Sequence, residues 1–220
     1  MLMEKRFQEI LRILEEQGTV SVQDLTESLD ASEATIRRDL SQLAQMGKLK
    51  KIYGGAASLE TGYQTREIRV EERQELYVEE KKQIAKYAAS LIEPGDFVYV
   101  DAGSSTEYLV EYIEERDASY VTNSMSHALK LAGRGMKVSI LGGNVKGTTE
   151  AVVGADAMET LRRYHFTRGF WGADGIRKKE GCTTPEMEEA AVKRLSMKQT
   201  RECYVLCDGS KFGKIAQVTF

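Results

Sequence analysis

The chain has 220 residues, 41% of them hydrophobic and 30% charged, and a net charge of −3. That is ordinary for one large or two small globular domains and excludes a uniformly basic nucleic-acid binder. No apolar run reaches the roughly 18 residues of a membrane span, and MLMEKRFQEI at the N-terminus has no signal-peptide core. Cys182, Cys203 and Cys207 are an odd set with no metal-ligand spacing to His127 or His165. The expectation is a cytoplasmic chain with free thiols, no membrane partner, no metal and no cofactor.

In chain order, Phe7, Ile10, Leu11 and Leu14 repeat at helical spacing, and Gly18 stops that helix. TVSV is a short β-type pause. Ser21 and Asp24 form an S-x-x-D start to a helix carrying Val22, Leu25 and Leu29. After the tight Asp30-Ala31 connection, Ser32 caps a third helix that runs to about Met46 and ends at Gly47. KLKKIYGGAASL then predicts a strand, a turn at Gly54-Gly55 and a return strand. Three short helices and a hairpin are the outline of a winged helix-turn-helix.

At about 100° per residue, Ile36, Leu40 and Leu43 share the inner side of the third helix. Ala34, Arg38, Ser41 and Gln45 lie on the outer side, flanked by Thr35 and Arg37. Small residues allow close approach, and a guanidinium fork grips guanine or phosphate with two bonds. Residues 34–53 carry Arg37, Arg38, Lys48, Lys50 and Lys51 against Asp39, whereas 15–33 carry acids and no base. Arg37 and Arg38 would read as a solvated face with an intrahelical partner, were the cap, the preceding helix and the basic hairpin not all in agreement. The expected DNA-contacting set is Ser32, Ala34, Thr35, Arg37, Arg38 and Ser41, with Lys50, Lys51, Tyr53 and Gly54 of the wing.

Residues 60–80 are heavily charged, with no Gly after Gly62 and no Pro, and read as a helical linker. Ile84, Ala88 and Leu91 then share a helix face, and EPGD at 93–96 is a turn. Beyond it, strands and helices alternate. FVYVD (97–101), SYVTNS (119–124), KVSILGG (137–143), FTRGFWGADG (166–175) and CYVLCDGSKFG (203–213) hold the strands, with helices following 103, following 124, near 155–163 and at 186–199. Near-continuous apolar strands between helices predict a Rossmann-like, mostly parallel sheet. The expected division is therefore 1–59, 60–80 and 81–220. Cys182 is expected in a polar loop, Cys203 and Cys207 buried in a strand, and Phe170 and Trp171 in the core or its rim.

Ligands of open α/β sheets bind beyond the C-terminal strand ends. Here those ends read DAGSST, TNS, LGG, GADG and DGSKFG. The candidate residues are Asp101, Gly103, Ser104, Ser105, Thr106, Thr122, Asn123, Ser124, Gly142, Gly143, Asp174 and Lys211. GSST opening a helix offers backbone N–H groups, hydroxyls and a positive dipole end to a phosphate. Asp101 and Asp174 suit sugar hydroxyls, and Lys211 balances an anion. The spacing matches neither G-x-x-x-x-G-K-[ST] nor G-x-G-x-x-G. Taken singly, a Gly-Gly pair is a plain turn and Ser-Ser-Thr a helix cap; five polar ends on one sheet make a phosphosugar site.

Arg6, Ile10 and Leu14, followed by Ser32, Thr35, Ile36, Arg37, Arg38, Asp39 and Leu40, resemble the signature of the DeoR family of bacterial transcriptional repressors, as does the wing KIYGGA at 51–56. The five strand-end motifs resemble that family's sensor domain, so the resemblance spans the chain. It implies a ribose-5-phosphate isomerase-like sensor fold, double-stranded operator DNA and a phosphorylated sugar as partners, and a homodimer or homotetramer. TTEAVVGADA (148–157) and CTTPEMEEAAVKR (182–194) look most like the fructose-operon repressors, which implies fructose 1-phosphate as effector. It also implies a further strand and helix beyond Phe220. The alternatives are a sugar-phosphate isomerase with an appended domain, using Asp174, Glu186 and Lys211, and a pure interaction protein using the charged linker.

Overall fold

The computed structural model describes residues 3–58 and 70–220, without the side chains of 15–17 and 71. They fall into two compact units, within Met1–Tyr63 and within Gln64–Phe220.

In the first unit, α1 (Met3–Gln17) is followed by β1 (Thr19–Ser21), α2 (Val22–Leu29), α3 (Glu33–Gln45), β2 (Leu49–Ile52) and β3 (Gly55–Ser58). The predicted caps form. The Ser21 hydroxyl accepts from the Asp24 N–H at 3.1 Å and the Asp24 carboxylate from the Ser21 N–H at 3.4 Å. Ser32 accepts from the Thr35 N–H at 3.3 Å. Ile10, Leu14, Leu25, Ile36, Leu40 and Leu43 close one core. The TVSV pause is a true strand that pairs with the wing, in the order β1-β3-β2.

That pairing corrects the Gly54-Gly55 turn. The turn is Tyr53-Gly54, with Gly54 at φ +76°, whereas Gly55 already lies in β3 opposite Ser21. A Cβ on Gly55 would stand 2.1 Å from the Val20 carbonyl oxygen, so Gly55 is there for close strand approach.

Asp39 is buried and ion-paired to Arg6, whose Nη2 donates to Oδ1 at 3.1 Å. Asp39→Ala should lower the stability of this unit by about 2 kcal/mol, because a buried charged hydrogen-bonding network loses one partner. Chemical denaturation separates this effect from the sensor. The circular-dichroism transition should move while the fluorescence of Trp171, the single tryptophan, stays in place. An unmoved circular-dichroism transition would refute the stabilising role.

The second unit begins with α4 (Val70–Gln74) and α5 (Val78–Ala89). Of the expected 60–80 linker, 60–69 lie outside the described residues. The rest is two helices broken at 75–77, so α5 starts three residues before the expected sensor boundary. Next come β4 (Phe97–Val100), α6 (Ser104–Tyr112), β5 (Ser119–Thr122), α7 (Met125–Gly133) and β6 (Lys137–Ile140). The hairpin β7 (Asn144–Lys146) and β8 (Ala151–Val153) follows, then α8 (Ala155–Leu161), β9 (Phe166–Gly172), β10 (Gly175–Arg177), β11 (Gly181–Thr184), α9 (Met187–Lys198), β12 (Thr200–Leu206) and β13 (Val218–Thr219).

Five strands form a parallel sheet in the order β12-β9-β4-β5-β6. Val98, Val100 and Phe170 face α5, α6 and α7, while Tyr99, Val121 and Trp171 face α8 and α9. The sheet is thus covered on both sides, which is why its central strands read as continuous apolar runs. The expected strand 166–175 ends at Gly172, and 174–184 folds instead into a small antiparallel sheet, β10-β11-β13. Cys182 consequently lies in β11 and not in a loop. Cys203 is exposed, against the expectation of burial, because β12 is the sheet edge; Cys207 is half-buried just beyond it.

Candidate functional site

The outer face of α3 is assembled as its periodicity requires. Ser32, Ala34, Arg37 and Arg38 are exposed, and Thr35 and Ser41 half-exposed. Ser32 serves as the cap, and its hydroxyl lies 2.8 Å from that of Thr35. Arg37 is drawn to Glu33 one turn back, with Nε 3.0 Å from Oε1, so the intrahelical partner exists for this arginine. Arg38 has no partner among the described residues and stays available. Ser41 donates to the Arg37 carbonyl at 2.7 Å and accepts from the Lys51 ammonium at 2.9 Å, which ties the wing to the helix. Lys50 and Tyr53 are exposed, and Arg37, Ser41, Lys51 and Gly54 line one cleft between helix and wing. With Asp39 turned inward onto Arg6, its charge is withdrawn from this basic surface.

In the second unit the sheet order decides which strand ends meet. The chain proceeds from β4 to β5 and β6 on one side and returns to β9 and β12 on the other. The topological switch point therefore lies between β4 and β9, where an open sheet leaves its crevice. A small cavity opens there. Ala102, Gly103, Ser104 and Ser105 line it after β4, and Gly172, Ala173 and Asp174 after β9. Lys211 reaches it from beyond β12.

Gly103 precedes α6 without a side-chain cap, so the first-turn N–H groups are uncapped. Ser104 and Ser105 are buried residues whose hydroxyls, like the Lys211 ammonium, have no partner among the described residues. Asp174 is held from two sides, by Arg73 Nη1 at 2.7 Å and the Thr184 hydroxyl at 3.1 Å.

The remaining candidates do not line this cavity. Asp101 is buried beneath it, ion-paired to Lys193 and accepting from the Gly172 N–H at 3.3 Å. Burial pushes its carboxyl pKa up, against the opposing pull of Lys193. Thr106 donates to the Gly103 carbonyl at 2.9 Å. Asn123 Oδ1 accepts from the Ala102 N–H at 2.8 Å and so braces the loop from behind. Thr122 accepts from the Ser124 N–H, and Ser124 caps α7. The β7–β8 hairpin closes over these ends, with the Val152 N–H donating to the Asn123 carbonyl. Gly142 and Gly143 lead into that hairpin, and a Cβ on Gly143 would stand 2.5 Å from the Val153 carbonyl oxygen.

Besides Ala102, Gly172 and Ala173, four lining residues were absent from the candidate set: Arg73, Thr149, Glu189 and Lys193. Glu189 and Lys193 are four apart on α9, a helix-face spacing that TTPEMEEAAVKR carries in the sequence. Lys193 donates to the Gly172 carbonyl at 3.1 Å, and Glu189 accepts from Thr149 at 2.7 Å and Lys146 at 3.2 Å. Burial raises the Glu189 pKa, but Lys193, Thr149 and Lys146 outweigh it, so the carboxyl titrates below its ordinary range.

Two family models match the chain: the DeoR-like helix-turn-helix domain over residues 6–62 and the DeoR C terminal sensor domain over 77–220. The chain is similar to the uncharacterized HTH-type transcriptional regulator FruR of Bacillus subtilis, at 38% identity over 100% of this chain and 87% of that protein. It is also similar to the lactose phosphotransferase system repressor of Staphylococcus epidermidis, at 33% identity over 95% and 84%. The HTH-type regulator IolR of Bacillus subtilis is 32% identical over 98% and 85%. These relatives are named regulators or repressors, not enzymes. Among solved structures, ribose 5-phosphate isomerase A of Methanocaldococcus jannaschii aligns with a TM-score of 0.47 at 15% identity, covering 61% of this chain and 54% of that one.

Proposed function

The chain belongs to the DeoR family of transcriptional regulators, and on that premise we propose that it represses a sugar-utilisation operon in the cytoplasm and is released from operator DNA by a phosphorylated sugar, fructose 1-phosphate. The observation that carries the effector class is the uncapped start of α6 at the switch point, with the unpartnered Ser104 and Ser105 hydroxyls and Lys211 around the same cavity. An anion is what backbone N–H groups at a helix N-terminus favour, and polyhydroxylated ligands suit Asp174 and Glu189 beside them.

The two segments that look like the fructose-operon repressors, 148–157 and 182–194, supply Thr149, Glu189 and Lys193 to the cavity lining, where sugar identity would be read. The isomerase alternative, which needs Asp174, Glu186 and Lys211 together, loses ground on the pocket itself: Glu186 does not line it, and Asp174 is tied to Arg73 and Thr184.

Electrophoretic shifts with upstream operon DNA, repeated with fructose 1-phosphate, fructose 6-phosphate and fructose, test this reading. A shift abolished by the phosphate esters and not by fructose is the expected result. Aldose–ketose interconversion of a phosphosugar with no DNA binding would restore the isomerase. We also propose that the repressor acts as a homodimer or homotetramer, since one winged helix reads few base pairs and specificity comes from paired half-sites. Sedimentation should show at least a dimer on DNA; a monomer with full operator affinity would refute it.

A further inference from the structure

We propose that Arg73 is an anion-contacting residue of the effector site, so that the connector before the sensor helps to hold the phosphate of the bound sugar. The inference rests on the sugar-phosphate reading above and assigns that ligand a contact outside both matched family segments, which end at 62 and resume at 77.

Arg73 lines the cavity together with Ser104, Ser105 and Lys211. Its guanidinium spends Nη1 on Asp174 at 2.7 Å, but its Nε is buried and has no hydrogen-bond partner among the described residues. A buried, unsatisfied donor on a permanently charged group costs free energy unless a ligand supplies the acceptor. A phosphate supplies several acceptors, and the planar guanidinium engages them in pairs. The other cations of the lining divide clearly. Lys193 is committed to Asp101 and the Gly172 carbonyl, whereas Lys211 is unpartnered. Arg73 and Lys211 are therefore the two cations with capacity left for an anion seated on the first turn of α6.

The backbone around Arg73 is fixed to elements that flank the cavity. Its carbonyl accepts from the buried Lys81 ammonium. The Tyr108 hydroxyl of α6 donates to the Gln74 carbonyl at 3.0 Å, and the Val70 N–H donates to the Thr148 carbonyl at 3.2 Å, next to the lining residue Thr149. Asp174 keeps its Thr184 bond independently of Arg73, so a ligand can draw on the arginine without releasing the carboxylate.

The experiment is calorimetric titration of the full chain with fructose 1-phosphate, fructose and inorganic phosphate, for wild type, Arg73→Gln and Arg73→Lys, with circular dichroism reporting folding. Arg73→Gln should lose tenfold or more in affinity for the ester with little change for fructose, and Arg73→Lys should recover part of that loss. A merely structural role would lower both sugars together. Arg73→Gln with the wild-type ratio of ester to sugar affinity overturns the proposal. Should Arg73→Gln fail to fold, an unchanged ratio in Arg73→Lys overturns it equally. A wild-type chain that binds neither the ester nor inorganic phosphate overturns the sugar-phosphate reading itself, and the inference with it.

Discussion

Arg38→Ala is expected to weaken operator binding by about 1–3 kcal/mol, roughly five- to 150-fold, the scale of a lost bidentate base contact. Arg38 is exposed on the outer face of α3 and has no partner among the described residues, so its whole fork is available to DNA. Arg37→Ala should add less, because Arg37 already pairs with Glu33 and must leave it to reach a base or phosphate. Lys50→Ala should act differently, lowering affinity evenly across sequences and reducing the salt slope by about one counterion. Fluorescence anisotropy with operator and scrambled duplexes at several salt concentrations separates the two behaviours. A folded Arg37→Ala/Arg38→Ala double variant that binds as well as wild type would remove α3 from the recognition role.

The second large effect belongs to the cavity. Ser104→Ala with Ser105→Ala should lower affinity for the phosphate ester by tenfold or more, since each hydroxyl lines the cavity at the α6 start without a partner among the described residues. Operator affinity in the absence of sugar should remain unchanged. Thr106→Ala should have a smaller effect, because that hydroxyl is spent on the Gly103 carbonyl. Calorimetry on the double variant, its two single substitutions and Thr106→Ala checks the order. Equal losses at 104, 105 and 106 would mean that the loop acts only through its stability.

How far the site could be read from the sequence depends on the range of the interactions that build it. The α3 face was legible because it is set within one helix: the Ser32 cap, the Ile36–Leu40–Leu43 stripe and the period of 3.6 fix which side Arg38 takes. The strand-end loops were legible as a class but not as a selection. Asp101, Thr122, Asn123, Ser124, Gly142 and Gly143 have the composition of ligand loops, yet long-range strand order places the crevice between β4 and β9, Asp101 is taken up by Lys193, and the β7–β8 hairpin packs against Asn123. Arg73 left no local signal, being one charge in a charged stretch. Only the tertiary approach of α4 to Asp174, 101 positions away in sequence, distinguishes it. Gly55 illustrates the same limit in the wing: a Gly-Gly pair spells a turn, whereas the neighbouring β1 strand is what requires the second glycine.

The central claim is that operator and phosphorylated sugar oppose each other through one chain. Coupling of this kind is reciprocal, so operator must weaken sugar binding by the factor by which sugar weakens operator binding. Calorimetric titration of fructose 1-phosphate into the protein, free and saturated with operator, measures it directly. Binding to the operator complex is expected to be weaker by the same factor found in the DNA shifts, with far weaker binding of fructose in both states. Identical affinity for the ester with and without operator, or equal affinity for fructose and its phosphate, would contradict it.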